Sequence, residues 1–387
     1  MFQAQASSKI KPPTVTPAAT PTATPTPIPT PSTTPAAIPT ATPLKKFPSF
    51  RNGSGGILNF CHQDALLVIL NEIFIPNPQF LHVNTSTSES RCMKTLKEMH
   101  QRFNEGKFHE SKMQLWTWLQ KSTPTGRMYY GLGKQCSLEA ILPAIRQKLS
   151  DSKSKFLRFS TKTSKQCLSH ADHAHPTKEM LKATYRIVEE NFIPEDRVDN
   201  KDAKSPVNIT KHFQRLAADT GTTWLSASCS KVLRDVATDG DITECVRCNS
   251  PASCNTKIER LPEVIVLEIV KRNDGLLPYF PHLEENMVVR GIFYQLVGLV
   301  YYSWAMSHYW SDVYVKETNT RNKVTGWYTH DGLNNSGNAL LAGGPSFSSD
   351  GRFLSLVFYE KVHDNDTLQK YSQKMSPKQN QHTRTWH

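Results

Sequence analysis

The sequence predicts an α+β fold. Three observations carry that expectation. Apolar residues at helical spacing dominate the first part of the folded region, β-branched and aromatic runs of strand length dominate the last part, and no internal repeat connects the two. The chain has 387 residues, enough for one large domain or two to three small ones. Residues 1–49 are set apart by composition. The first 50 residues hold 12 of the 25 prolines, many threonines and no Asp or Glu. Such a stretch cannot bury enough apolar surface to offset its ordering entropy, so it reads as a disordered or polyproline-II arm. The chain is 38% hydrophobic, which gives the remaining body material for a sizeable core.

The body opens at Phe50 with the turn signal of residues 52–56. Apolar residues at 65, 66, 69, 70 and 73 predict a helix over 62–74, with Cys61 at or just before its start and Pro76 and Pro78 beyond its end. A second helical region runs over about 90–103. Trp116, Trp118 and Leu119 form an apolar cluster, and 137–149 reads as a helix with Leu138, Ile141, Leu142 and Ile145 on one face. Residues 151–207 are polar and Lys-rich, and read as an insertion with a helix over 177–191. After Thr220 the character changes to strands, at 264–270, 291–302, 309–315 and 353–359. Residues 362–387 are a polar tail expected to fray.

Composition narrows the function classes. No charged segment followed by an apolar run opens the sequence, so no secretory leader is expected. Residues 291–306 are short for a bilayer span and carry Gln295 and five aromatics, which favours a buried strand. Eight cysteines are sparse for this length, so a disulfide scaffold is not expected and a reducing compartment, cytoplasm or nucleus, is. The sequons at Asn52, Asn84, Asn208, Asn334 and Asn365 therefore carry no weight. The formal net charge is +12, of which Lys9, Lys11, Lys45 and Lys46 put +4 on the arm. This favours acidic partners. Without a helix-turn-helix, paired zinc finger or arginine tract, no specific nucleic-acid partner is expected. Nor is a membrane partner, and a monomer is expected.

Cys61 is the first candidate for chemistry. The unpaired N–H groups and dipole of a helix N-terminus favour an anion, the state in which a thiol is a nucleophile. The segment Asn59-Phe60-Cys61-His62-Gln63-Asp64-Ala65-Leu66-Leu67 resembles the cysteine box of the ubiquitin-specific proteases: Asn-Thr-Cys-Tyr, a variable residue, Asn, a small residue and an apolar helix. The run from Tyr294 to Tyr302, followed by Ser307-His308-Tyr309, resembles that family's histidine box, a strand leading through a short loop into Gly-His-Tyr. Gly326-Trp327-Tyr328-Thr329-His330-Asp331 resembles its Trp-x-x-Phe-Asp/Asn. Leu261-Pro262, the strand to Arg272, and the closing strand Leu356–Lys361 also resemble family segments, in the family's order.

The resemblance implies a papain-like cysteine protease fold with thumb, palm and strand-rich fingers at about 220–281, in a catalytic domain over 50–361. It implies Cys61 as nucleophile, His308 as general acid and base, and Asp331 as the residue that orients His308. The implied activity is thiol-dependent isopeptide cleavage after the C-terminal Gly of ubiquitin, with SUMO as the alternative modifier. A catalytically inactive module that binds a ubiquitin-like protein is the rival class. The sequence departs from the family pattern in several places. The oxyanion-stabilising Asn, five residues before the cysteine, is Gly56; losing such a donor costs ~3–4 kcal/mol of barrier. Asn59, or backbone N–H groups at Cys61, stand in for it. The glycine before the histidine is Ser307, and the Gln-Gln-Asp box keeps only Gln135.

Cys245-Val246-Arg247-Cys248 has the spacing that places two thiolates on one tetrahedral zinc. With Cys229 and Cys254 it makes four thiols within 26 residues, a candidate structural zinc site in the fingers. No organic cofactor is expected.

Overall fold

The computed structural model describes residues 61–77, 87–120, 158–173, 177–182, 184–188, 194–199, 205–218, 222–224, 245, 247–250, 252–270, 281–303, 306–316, 325–331, 339–345 and 352–363. The helix expected over 137–149, Gln135, the arm and the tail beyond 363 lie outside them.

Helix α1, Cys61–Ile69, continues through a π-helical turn at Leu70–Phe74. Its residues from Ala65 to Leu70, with Ile73 and Phe74, are all buried, as expected of a helix apolar on every side. Helices α2, Thr87–Asn104, and α3, Phe108–Gln120, pack beside it, their junction closed by the Phe103 and Phe108 rings with centroids 5.1 Å apart. These three helices form the thumb.

The last part of the chain builds the palm. Strands β6 (Val264–Val270), β7 (Asn286–Val289), β8 (Ile292–Ser303), β9 (His308–Val315), β10 (Gly326–His330), β11 (Leu340–Ala342) and β12 (Arg352–Lys361) form a sheet in the order β11-β10-β9-β8-β12-β6. β7 pairs β8, and β3 (Tyr185–Val188) closes the far edge, parallel to β6. Both faces of this sheet are covered. Val264, Val266, Leu356 and Phe358 pack with α1, whereas Ile265, Leu267, Val357 and Tyr359 pack with Phe213 of helix α4, Ile209–Ala217. Two buried faces explain why β6 and β12 read as continuous apolar runs rather than as alternating ones.

Gly298 sets the distance between α1 and the sheet. A Cβ at this β8 position would lie 2.5 Å from Ile73 Cδ1 and 3.2 Å from Ile69 Cδ1. The Ile69 and Ile73 side chains therefore pack directly over the β8 backbone at Gly298, while α1 lies along β9.

The second sheet, of order β2-β1-β5-β4, forms the fingers: β1 is Phe159–Cys167, β2 Lys178–Lys182, β4 Thr222–Trp224 and β5 Ala252–Arg260. Half of it thus comes from upstream of residues 220–281. Nor are residues 178–182 and 185–188 helical as expected, because they form β2 and β3. Ile187 is buried in the palm core, and the Tyr185 ring meets Phe159 and Phe213 edge-on, with centroids at 5.7 and 5.4 Å. Pairing with strands distant in sequence overrides local preference here. Arg290, at the two-residue β7–β8 turn with φ +51, ties fingers to palm. Its Nε donates to Ala217 O at 2.7 Å, and its other nitrogens donate to Ile258 O and Glu259 O.

The Asn208 sequon is a structural feature. Asn208 caps α4, accepting from Lys211 N at 2.9 Å, and Thr210 is buried with its hydroxyl 2.8 Å from Tyr359 Oη. Among the described residues no helix is long and apolar enough to cross a membrane.

Candidate functional site

Three elements bring Cys61, His308 and Asp331 into one place. Cys61 is the first residue of α1 and is half-buried. His308 opens β9, paired with Ser303 at the end of the β8–β9 hairpin, and is buried. In the antiparallel β9–β10 pair His330 lies opposite Ser311, so Asp331, one residue on, comes back toward the start of β9. The result is a contact of 2.8 Å between His308 Nε2 and Asp331 Oδ1. The His308 ring also stacks on Trp310, with centroids 6.1 Å apart and planes 19° apart. The Cys61 side chain interacts with the same imidazole. With Nε2 on Asp331, Nδ1 is the nitrogen left for the sulfur.

Ser307, immediately before the histidine, has φ +47, and its carbonyl oxygen lies 3.9 Å from the Cys61 sulfur. This is the left-handed region, which glycine occupies at least cost. The family pattern has glycine at this position, and the backbone here shows the physical reason.

Burial works against charge on His308. The hydrogen bond to Asp331 and the Cys61 side chain outweigh it, and the ring is pushed up to about 9. The geometry therefore favours a protonated imidazole beside the sulfur at neutral pH.

A pocket beside the sulfur is lined by Cys61, Asp64, Ala65, Tyr309, His330 and Asp331. Asp64 lies in the first turn of α1 and makes an ion pair with Lys112 of α3, Oδ1 to Nζ 2.5 Å. The Lys112 side chain is 1% exposed. Burial raises the Asp64 carboxyl, and the Lys112 ammonium, then the His308 charge, act in the opposite direction. Neither Asp64 nor Lys112 stands out in the sequence, since a first-turn acid and a helical lysine are ordinary surface features. Asn59 and Gly56 lie outside the described residues.

The candidate metal centre differs from the four-cysteine set. Cys245 and Cys248 come together with Cys167 and His173, all four ligand atoms within 4.8 Å of one another. Cys229 lies outside the described residues. Cys254 sits in β5, its backbone paired with Lys165 of β1 and Trp224 of β4. The two unforeseen ligands come from the end of β1 and the turn after it, because β1 pairs with β5 and carries them to the Cys245–Cys248 turn. One signal was present: Cys167, His170, His173 and His175 crowd into nine residues.

The Cys167 and Cys248 sulfurs are 3.5 Å apart, and Cys245 Sγ is 3.5 Å from His173 Nδ1. These separations are too long for a disulfide and suit ligands around one tetrahedral ion. Hydrogen bonds from Ser250 push the Cys248 thiol down to about 6. The donor set, three sulfurs and one imidazole, could hold a metal of zinc's softness.

No family model matches the chain, and no curated protein matches it. Solved structures do. The apo Pan2 pseudoubiquitin hydrolase–RNA exonuclease module of Saccharomyces cerevisiae is similar at TM-score 0.50 and 11% identity, over 78% of this chain and 53% of that one. A SAGA DUB module of Ubp8, Sgf11, Sus1 and Sgf73 bound to monoubiquitin matches at TM-score 0.49 and 12% identity, over 84% and 72%. The same module bound to ubiquitin aldehyde matches at 0.48 and 14%, over 84% and 72%. At such identities the likeness is one of fold. The α+β thumb, palm and fingers expected from the sequence are the architecture of the chain.

Proposed function

We propose that the chain is a cysteine isopeptidase that removes ubiquitin from its conjugates. The observation that carries this reading is the meeting of Cys61, at a helix N-terminus, with a histidine whose far nitrogen is held by Asp331 at 2.8 Å. That is the arrangement of an activated thiol nucleophile, its proton carrier and an orienting carboxylate. The modifier is the part of the reading that the fold likeness to ubiquitin-hydrolase-like modules supports.

The steps follow from the geometry. The Cys61 thiolate attacks the carbonyl carbon of the modifier's C-terminal Gly, and the carbonyl π electrons move to oxygen. N–H groups at the start of α1, with Asn59, are the donors for that oxyanion. The His308 imidazolium gives its proton to the lysine nitrogen as the C–N bond breaks, leaving a thioester. Neutral His308 then takes a proton from water, whose oxygen displaces the sulfur. Asp331 holds the ring through both steps. Zinc at Cys167, His173, Cys245 and Cys248 would fix the tip of the fingers, remote in role from the bond being broken. Free thiols at Cys61, Cys167, Cys245 and Cys248 fit a reducing compartment, cytoplasm or nucleus.

A panel of ubiquitin, SUMO and related modifiers with electrophilic C-termini tests the proposal. An adduct on Cys61 with the ubiquitin probe supports it. An adduct with the SUMO probe alone reassigns the modifier. Binding without any adduct makes the chain a non-catalytic module.

A further inference from the structure

We infer that Asp64 is a second carboxylate set beside the reacting pair, lining from α1 the same pocket that Asp331, the partner of His308, lines from the end of β10. This rests on the isopeptidase reading for the identity of the pair. Asp64 follows Cys61 by three residues, so the two side chains share one face of the first turn. Both line the pocket that Asp331 and His330 close from the opposite side.

A carboxylate in this place should be hard to ionise, because burial disfavours its charge. Lys112 works against that penalty, although burial remains the larger influence. Its ammonium, itself 1% exposed, lies 2.5 Å from Asp64 Oδ1. A long cationic side chain is rarely buried in this way without a carboxylate to meet it. The pair is neutral as a unit but polar in direction. Its negative end is at the reacting groups and its positive end is in the thumb, on α3.

Among the described residues, the titratable groups beside Asp64 are Cys61 on α1, Lys112 on α3, and His330 and Asp331 at the end of β10, with His308 of β9 held by Asp331. A negative end here favours the imidazolium over the neutral ring and disfavours the thiolate. Both effects move the range in which the ion pair exists toward alkaline pH. In a chain of net charge +12, whose general field would push the other way, this places a local counterweight at the reacting atoms.

The test is Asp64→Asn in the full chain. Asn is the residue that the resembling family's cysteine box carries there. Two readings are taken, neither of which needs a ubiquitin-like substrate. One is the titration midpoint of the His308 ring, by NMR with labelled histidine. The other is the pH dependence of Cys61 alkylation by iodoacetamide, followed by peptide mass spectrometry. Removing the negative end lowers both midpoints, by about half a unit to one unit at the separations of neighbouring helix faces. The direction is the same whether Lys112 stays charged or loses its proton. Asp64→Asn with Lys112→Met leaves no unpaired lysine and carries the same test if the single variant folds poorly. Both midpoints unchanged in a folded variant would overturn the inference and leave Asp64–Lys112 a purely structural ion pair. A protein that fails with every modifier probe but shows the shift refutes the isopeptidase reading alone.

Discussion

His308 Nε2 lies 2.8 Å from Asp331 Oδ1, across two strands whose pairing stops one residue short of the aspartate. The contact fixes which ring nitrogen is engaged and, against burial and together with the Cys61 side chain, raises the ring to about 9 from its ordinary 6.5. A histidine raised on folding contributes stability that is fully present below about pH 6.5. That contribution is lost as pH rises through about 9. Asp331→Ala should therefore lower the His308 midpoint and reduce the stability lost between about pH 6 and about pH 10 in urea unfolding. It should also slow turnover roughly 10²-fold or more. Full turnover in this variant would move the orienting role to Asn334 or Asn335.

Cys61→Ser should abolish the adduct with the matching modifier probe, while Cys92→Ser and Cys136→Ser keep it. The readout is intact-protein mass. Equal labelling of Cys61→Ser would exclude this cysteine as nucleophile.

The metal centre separates two ligand sets by substitution. Cys167→Ser and His173→Ala should each cost the protein its bound zinc, and lower its thermal midpoint. Cys229→Ser and Cys254→Ser should leave metal content unchanged. Elemental analysis of freshly purified protein decides, and the reverse pattern would restore the four-cysteine set.

Ser307→Gly should stabilise the protein by about 1 kcal/mol, since a serine at φ +47 carries a Cβ cost that glycine avoids. Gly298→Val should act in the opposite sense. Its side chain would enter space held by Ile69 and Ile73, at a cost of about 2–3 kcal/mol, and would lift α1 from the sheet. Denaturant titration measures both. Labelling of Cys61 should fall in Gly298→Val and persist in Ser307→Gly.

What could be read in the sequence follows a physical division. Strand β6 and helix α1 were legible because burial on both sides leaves continuous apolar runs of characteristic length. Cys61, His308 and Asp331 were legible because each ends or begins such an element inside a short recognisable segment. Strands β1 to β3 were not. β1 and β3 pair with β5 and β6, roughly 80 to 100 residues onward, β2 pairs with β1, and a polar segment carries no local trace of a distant edge. Cys167 and His173 were missed with them. Lys112 was missed for a different reason: a lysine among helical residues looks solvent-facing until the acid that meets it is found.

The hairpin that presents His308 lies 246 residues beyond Cys61 when counted to Ser307, whose carbonyl the sulfur approaches. At synthesis rates of 5–20 residues per second, roughly 12–50 s separate the emergence of Cys61 from that of His308. During that interval α1, with its continuous apolar run, has no β8 or β9 to pack against. A nascent chain therefore displays a sticky helix and an unarmed cysteine together. Premature termination before β9 should yield a chain that lacks His308 while leaving α1 uncovered, and is therefore prone to clump.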